Sequence, residues 1–296
     1  MADKAHDLTD KKLAAMEKRV SAIYARSQRE IEAKAQAYFD KFAKDDWEKR
    51  KQLQEGKITA DDYKRWRKSN IMSGKRWTDM KQQIALEYQH VNETALAYIN
   101  GELPEIYALN YNAFEDTVDG VGGYSFMLTD ANTVRNLAAT DDTFLPLKTV
   151  NTRKYQRWCT KKINAEILQG VIQGESIDKM AKRLRRVSAM DHTSAIRNAR
   201  TMVTSAECKG RQDSYERAAK DGIKLRREWI ATNDGRTRHA HALLDGQLAD
   251  VDKPFESELG DIMYPGDPQA HPSNVYNCRC TVGAVVMSIG GVKINP

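Results

Sequence analysis

From Leu13 onward the apolar residues recur at three-and-four spacing: Leu13, Met16, Val20, Ile23, Tyr24, Ile31, Tyr38, Phe39 and Phe42. Residues three and four apart share a helical face, so these side chains form one stripe on a helix of roughly thirty-five residues. Asp7 or Thr9 can cap it. Lys, Arg, Glu and Asp fill the other positions, which gives a solvated opposite face. Gly56 punctuates the pattern, and Thr59 with Asp62 has capping-box spacing, so a second helix is expected over 59–69. A third is expected over 74–99, with Ile84, Tyr88, Val91, Ala95 and Tyr98 as its stripe. Gly101 should stop it and Pro104 should open the next. Narrow stripes on long helices favour packing on one another or on another subunit, and residues 1–118 read as an extended helical arm region.

Residues 119–151 read as a linker with short elements. DGVGGYS (119–125) is the best boundary, and a short strand, a cap at Thr129 or Asp130 and a short helix follow before a joint at Pro146. Periodicity then predicts a helix over 152–173 and, after a Ser176 cap, a short basic helix. A long helix runs from Met190 to Gly222. Its Ile196, Ala199, Met202, Val203, Ala206, Gly210 and Tyr215 offer a small-residue face. KLRREWIAT alternates like a strand and TVGAVVMSI (281–289) is strongly β-like. The fold class is therefore mainly α with a C-terminal α+β module, over 152–296.

With 30% charged residues and no apolar run of membrane length, the chain is expected to lack a membrane span. MADKAHDLTDKK has no apolar core for a signal peptide, which points to a cytoplasm at least initially. The net charge of +6 permits contact with nucleic acid or an acidic protein without requiring either.

Four cysteines are too few for a disulfide framework, so thiol and metal chemistry take precedence. Cys278 and Cys280 flank Arg279 in NVYNCRC; in an extended segment they face the same side and make half of a zinc site. His239 and His241 would likewise share a face on a strand. Two readings stand: a zinc site, or two small buried thiols beside a polar clasp. Asp245-Gly246 and Pro265-Gly266-Asp267-Pro268 are tight-turn signals, and Arg238, His241 and Asp245 can tie down a region poor in apolar residues. An enzymatic alternative places His239, His241 and Asp245 around zinc or magnesium for action on nucleic acid or phosphate esters. The run Lys182, Arg183, Arg185 and Arg186 is a candidate non-specific nucleic-acid contact.

The ordered set AIRNARTMVTSAECKGRQDSYERAAKDG, REWIATNDGRTRHAHALLDGQ, YPGDP and NCRC resembles the phage head morphogenesis, or minor head, proteins related to the F protein of phage Mu. The resemblance covers about residues 150–285. It implies a non-enzymatic virion component, made in the host cytoplasm and bound to the portal protein inside the procapsid. Scaffold or major capsid protein are further partners, and the roles implied are head assembly and DNA packaging or delivery. It also implies that Arg238, His241, Asp245, Gly246, Cys278 and Cys280 are recurrent positions. His241 with the two cysteines would be the core of any zinc site, with Asp234 or Asp245 as fourth ligand. Without metal, Asp234, Arg238, Asp245 and Gly246 would act as a structural clasp.

Overall fold

In the computed structural model, residues 3–118, 127–145, 147–289 and 292–293 are described. The boundary at 119–125 and the joint at Pro146 lie outside the described residues. The helices are α1 (Lys4–Gln54), α2 (Ala60–Ile71), α3 (Gly74–Asn112), α4 (Glu115–Val118), α5 (Ala131–Thr140), α6 (Thr152–Ile172) and α7 (Ile177–Lys220). Beyond them come β1 (Lys224–Ile230), one-turn helix α8 (His239–Ala242), β2 (Leu248–Asp250), one-turn helix α9 (Pro272–Val275), β3 (Thr281–Ile289) and β4 (Val292–Lys293). The fold is mainly α with a small antiparallel sheet at its C-terminal end, in the order β2-β1-β3-β4. No described helix is long and apolar enough to cross a membrane.

Several helix ends follow their local chemistry. Thr59 and Asp62 make a full capping box at α2, and Asp130 accepts from the amides of Asn132 and Thr133 at the start of α5. Ser176 Oγ accepts from Lys179 N before α7. Gly222, at φ +92°, turns the chain out of α7 while Ile223 N bonds back to Ala218 O. Three expectations need correction. Helix α3 runs through Gly101 and Pro104 because Leu103, Ile106 and Tyr107 are buried on its far side and hold the turn in place. The basic helix and the long helix that follows it are one element, α7, with no break at Met190. Thr129 and its neighbours form no strand.

The chain clusters into two compact units, and the division interleaves along the sequence. One unit gathers Met1–Glu17, Tyr98–Lys148 and Ile196–Pro296; the other gathers Lys18–Ala97 and Thr149–Ala195. The partition into 1–118, 119–151 and 152–296 does not follow this packing. The second unit contains a continuous core in which Ile31, Phe39, Ile84 and Tyr88 meet Cys159, Ile163, Ile167 and Leu184. Tyr88 Oη also donates to Leu184 O over 2.7 Å. The N-terminal helices are therefore core-forming elements rather than an extended arm: their apolar stripes are covered by α6 and α7 of the same chain.

The first unit holds the sheet and the site. Its core joins Phe114, Cys208 and Tyr215 to Leu225, Trp229, Phe255, Ile262, Cys278, Cys280 and Val282. The start of α1 is fastened there by ion pairs. Arg211 binds both carboxylate oxygens of Asp3 at 2.6 and 2.9 Å, and His6 Nδ1 lies 2.7 Å from Glu207 Oε1. The hydrogen bond to Glu207 holds the His6 imidazole up to about 9. On β1 the buried positions alternate as Leu225, Arg227 and Trp229. Arg227 is buried because its guanidinium meets a ring of acceptors: Gln212 Oε1 at 2.8 Å, Asp250 O at 2.9 Å and the carbonyls of Met263 and Lys253.

In this unit α3 and α7 approach closely at Gly210. A β-carbon there would lie 2.5 Å from Tyr107 O, a backbone atom that cannot swing away. Gly210→Ala should destabilise the protein by about 1–3 kcal/mol in denaturant unfolding. Gly101→Ala, in open space on α3, should stabilise it by up to about 1 kcal/mol. Equal effects at the two positions would show that the close approach at Gly210 is not a packing constraint.

Candidate metal centre

Three buried side chains converge beside the start of β3. His241 comes from α8, Cys278 and Cys280 from the extended segment leading into β3, and their donor atoms lie within 4.8 Å of one another. His241 Nδ1 is 3.5 Å from Cys278 Sγ and 3.6 Å from Cys280 Sγ. Bonds of about 2.3 Å to sulfur and 2.0 Å to nitrogen in a tetrahedron put two ligands about 3.5 Å apart, so these separations suit a shared zinc ion.

The imidazole is also presented in the right tautomer. Asn274, fully buried on α9, donates its Nδ2 to Gly260 O at 2.7 Å, which leaves Oδ1 facing His241 Nε2 at 3.0 Å. Oδ1 can only accept, so Nε2 carries the proton and a neutral ring turns the Nδ1 lone pair toward the sulfurs. Ser257 Oγ adds a second donor to Asn274 Oδ1 at 3.2 Å. Trp229 packs its ring edge-on to His241 at 5.2 Å. Asn274 and Trp229 thus fix the ligand's orientation. Neither was singled out for that part from the sequence; their signals, an Asn in a turn and a Trp on a strand, are common elsewhere.

The two thiols differ in acidity. A hydrogen bond from Cys278 holds the Cys280 thiol below its ordinary value. That same bond, together with burial, pushes Cys278 up. One sulfur of the pair therefore reaches the thiolate form before the other, which is the form that binds metal. Cys208, also buried, donates toward Cys280 O at 3.9 Å and lies outside the converging set.

The cysteines are positioned by α7. Asn277, at φ +58°, turns the chain, and its N–H donates to Thr201 Oγ1 at 2.9 Å. Thr204 Oγ1 donates to Cys278 O at 2.8 Å, and Gly266 sits so close to α7 that a β-carbon would lie 2.8 Å from Ser205 N. The small-residue face read from the sequence is thus where the loops lie down on the helix.

His239 takes no part. On a helical turn, residues two apart point to opposite sides, so His239 is exposed while His241 is buried. The expectation of a shared face assumed a strand. Asp245 and Asp234 do not supply a fourth ligand either. Asp245 accepts from Ala231 N at 2.8 Å and Asn233 Nδ2 at 2.5 Å, closing the loop after β1. Asp234 receives both Arg279 amino groups at 2.6 Å, which holds its carboxyl well below the usual carboxylate range. Arg238 donates to Tyr276 O, and Gly246, at φ +74°, donates its N–H to Trp229 O at 2.8 Å. These four residues thus close turns and join the α8 loop to the NCRC segment. Among the described residues no fourth thiol, imidazole or carboxylate joins the three.

The basic run on α7 lies in the other unit and differs from expectation. Arg183 is buried, with Nε 2.5 Å from Glu175 Oε2 and NH1 3.3 Å from Glu166 Oε2. Arg185 pairs with Glu32 at 2.7 Å and Arg186 with Glu166 at 3.5 Å. Lys182 is exposed. Three of the four cations are thus offset by carboxylates, and only Lys182 stands exposed without one among the described residues.

Comparison with known proteins places this geometry. The family described as Phage Mu protein F like protein matches residues 161–283, a span that holds all three converging ligands. The minor head protein GP7 of Bacillus phage SPP1 is 26% identical over 272 residues, covering 91% of this chain and 82% of that protein. The chain is thus similar to a phage minor head protein over most of its length, and its C-terminal half resembles the Mu F-like family. The chain is also 31% identical over 140 residues to an NAD(+)–arginine ADP-ribosyltransferase of Enterococcus faecalis, across 46% of its own length but 28% of the transferase. No solved structure matches it significantly.

If Asn274 orients this centre, Asn274→Ala will strand the buried His241 Nε2 and remove the partner of the half-buried Ser257 Oγ and of Gly260 O. The expected cost is about 1–3 kcal/mol in chemical unfolding. A loss below about 0.5 kcal/mol would show that the imidazole is held some other way.

Proposed function

We propose that the chain is a phage minor head protein that binds the portal inside the procapsid and assists head assembly and DNA packaging or delivery. In this reading it is made in the host cytoplasm and then carried in the virion, where scaffold or major capsid protein are further neighbours. The observation that carries it is the likeness to a minor head protein along 91% of the chain. A domain-sized match alone would leave the long helices unexplained.

We further propose that His241, Cys278 and Cys280 hold zinc, and that the ion is structural. When bound it would tie the α8 loop to the segment leading into β3. The burial of all three ligands supports a structural role, since a catalytic zinc keeps a position open to substrate. That burial, with His239 exposed on the other side of the turn and Asp245 engaged elsewhere, speaks against the alternative of a metal-dependent nuclease or phosphoesterase. The transferase activity in the name of the Enterococcus relative is not carried over, because this chain spans 28% of that protein.

Residues 1–100 supply side chains to the cores of both units, so a test by truncation would confound binding with folding. The full chain should instead be co-expressed with the tagged portal protein of the same phage. Co-elution as one complex on gel filtration is the expected result. A folded chain that elutes apart from assembled portal would overturn the portal assignment.

A further inference from the structure

The charge that the α7 run fails to present stands on α6 instead. Arg153, Arg157 and Lys161 recur every four residues on its exposed face, and with Gln156, Thr160 and Asn164 they line one open groove. Lys154 and Lys162 flank them, and the first carboxylate of the helix is Glu166, which Arg183 and Arg186 already engage. Among the described residues no carboxylate pairs with Arg153, Lys154, Arg157, Lys161 or Lys162. Among the described residues, the side chains lining the groove bond only through Arg157 Nε to Arg153 O at 3.3 Å and Gln156 Nε2 to Gln89 Oε1 at 2.6 Å. The stripe therefore carries its charge without carboxylate partners, unlike Arg183, Arg185 and Arg186 on α7.

We propose that this face of α6 is a sequence-independent contact for the phosphate backbone of double-stranded DNA. Eight residues of helix place the three cations along about 12 Å. Three cations in such a row can neutralise at most three phosphates. Hydroxyl and amide groups interleaved with cations are phosphate-positioning chemistry and carry no base readout. No aliphatic or aromatic residue lines the groove, whereas the centre of a protein interface is enriched in them. The nearby aromatics, Tyr155 and Trp158, pack against the core rather than forming a platform for unstacked bases, which disfavours single strands. The inference rests on these charges and does not depend on portal binding.

The test is fluorescence anisotropy of the full chain with a labelled duplex of about 30 base pairs, between about 50 and 200 mM salt. The variant Arg153→Gln/Arg157→Gln/Lys161→Gln should bind at least about tenfold more weakly at the low end, and its log–log salt slope should be shallower by about 2–3. Arg185→Gln/Arg186→Gln, whose charges are offset by carboxylates, should keep a slope within about 0.5 of the wild type. All the altered side chains are exposed, and melting followed by circular dichroism checks that the variants remain folded. No duplex binding by the wild type at about 50 mM salt, or an unchanged slope in the α6 variant, would overturn the proposal. Loss of portal co-elution by that variant, in a chain that never bound DNA, would reassign the stripe to a protein partner.

Discussion

The C-terminal part of the molecule depends on holding the segment ahead of β3 against one face of α7. Between β1 and β3 the chain forms little regular structure: two one-turn helices and a three-residue strand. A region of that kind buries too little apolar surface to hold itself closed by the hydrophobic effect alone. Polar groups with fixed directions take over much of the task. His241, Cys278 and Cys280 meet at one point, Asn274 links that point to Gly260 and Ser257, and Thr201 and Thr204 bind the backbone of Asn277 and Cys278.

Buried polarity of this sort is stabilising only when every group is partnered. Arg227 shows the condition most clearly. Its charge is buried on the core side of β1, no carboxylate pairs with it among the described residues, and burial pushes the guanidinium down to about 10. Carbonyl oxygens of three residues and the Gln212 amide surround it, and its guanidinium also lies 5.1 Å from the Phe255 ring centre. It therefore joins β1 to the loops at Asp250, Lys253 and Met263, much as the ligand cluster joins α8 to β3. Removing any one acceptor leaves the others beside a buried charge, so the loops are coupled through it.

Long-range polarity of this kind explains what the sequence showed and what it hid. The helices were legible because a repeat of three and four residues is local and survives any packing. Strands β1 and β3 were legible for the same reason. The continuity of α3 across Gly101 and Pro104 was hidden, because buried contacts at Leu103, Ile106 and Tyr107 outweigh the local helix-breaking tendency. At the site, the pairing of Cys278 with Cys280 followed from spacing, whereas the separation of His239 from His241 depended on a single helical turn that no periodicity reveals. The charge run on α7 misled because ion pairing is decided by partners far away in sequence: Arg185 finds Glu32. The uncompensated stripe on α6 was visible only once those partners were placed.

The proposed zinc is the point on which this closure turns, and metal content tests it most directly. Elemental mass spectrometry of the purified full chain should find about one zinc per molecule. The Cys278→Ser/Cys280→Ser variant should lose the zinc and melt at a lower temperature. A wild-type protein that is folded, metal-free and no more stable with added zinc would contradict the claim, and would leave the cysteines as packing beside a clasp held by hydrogen bonds.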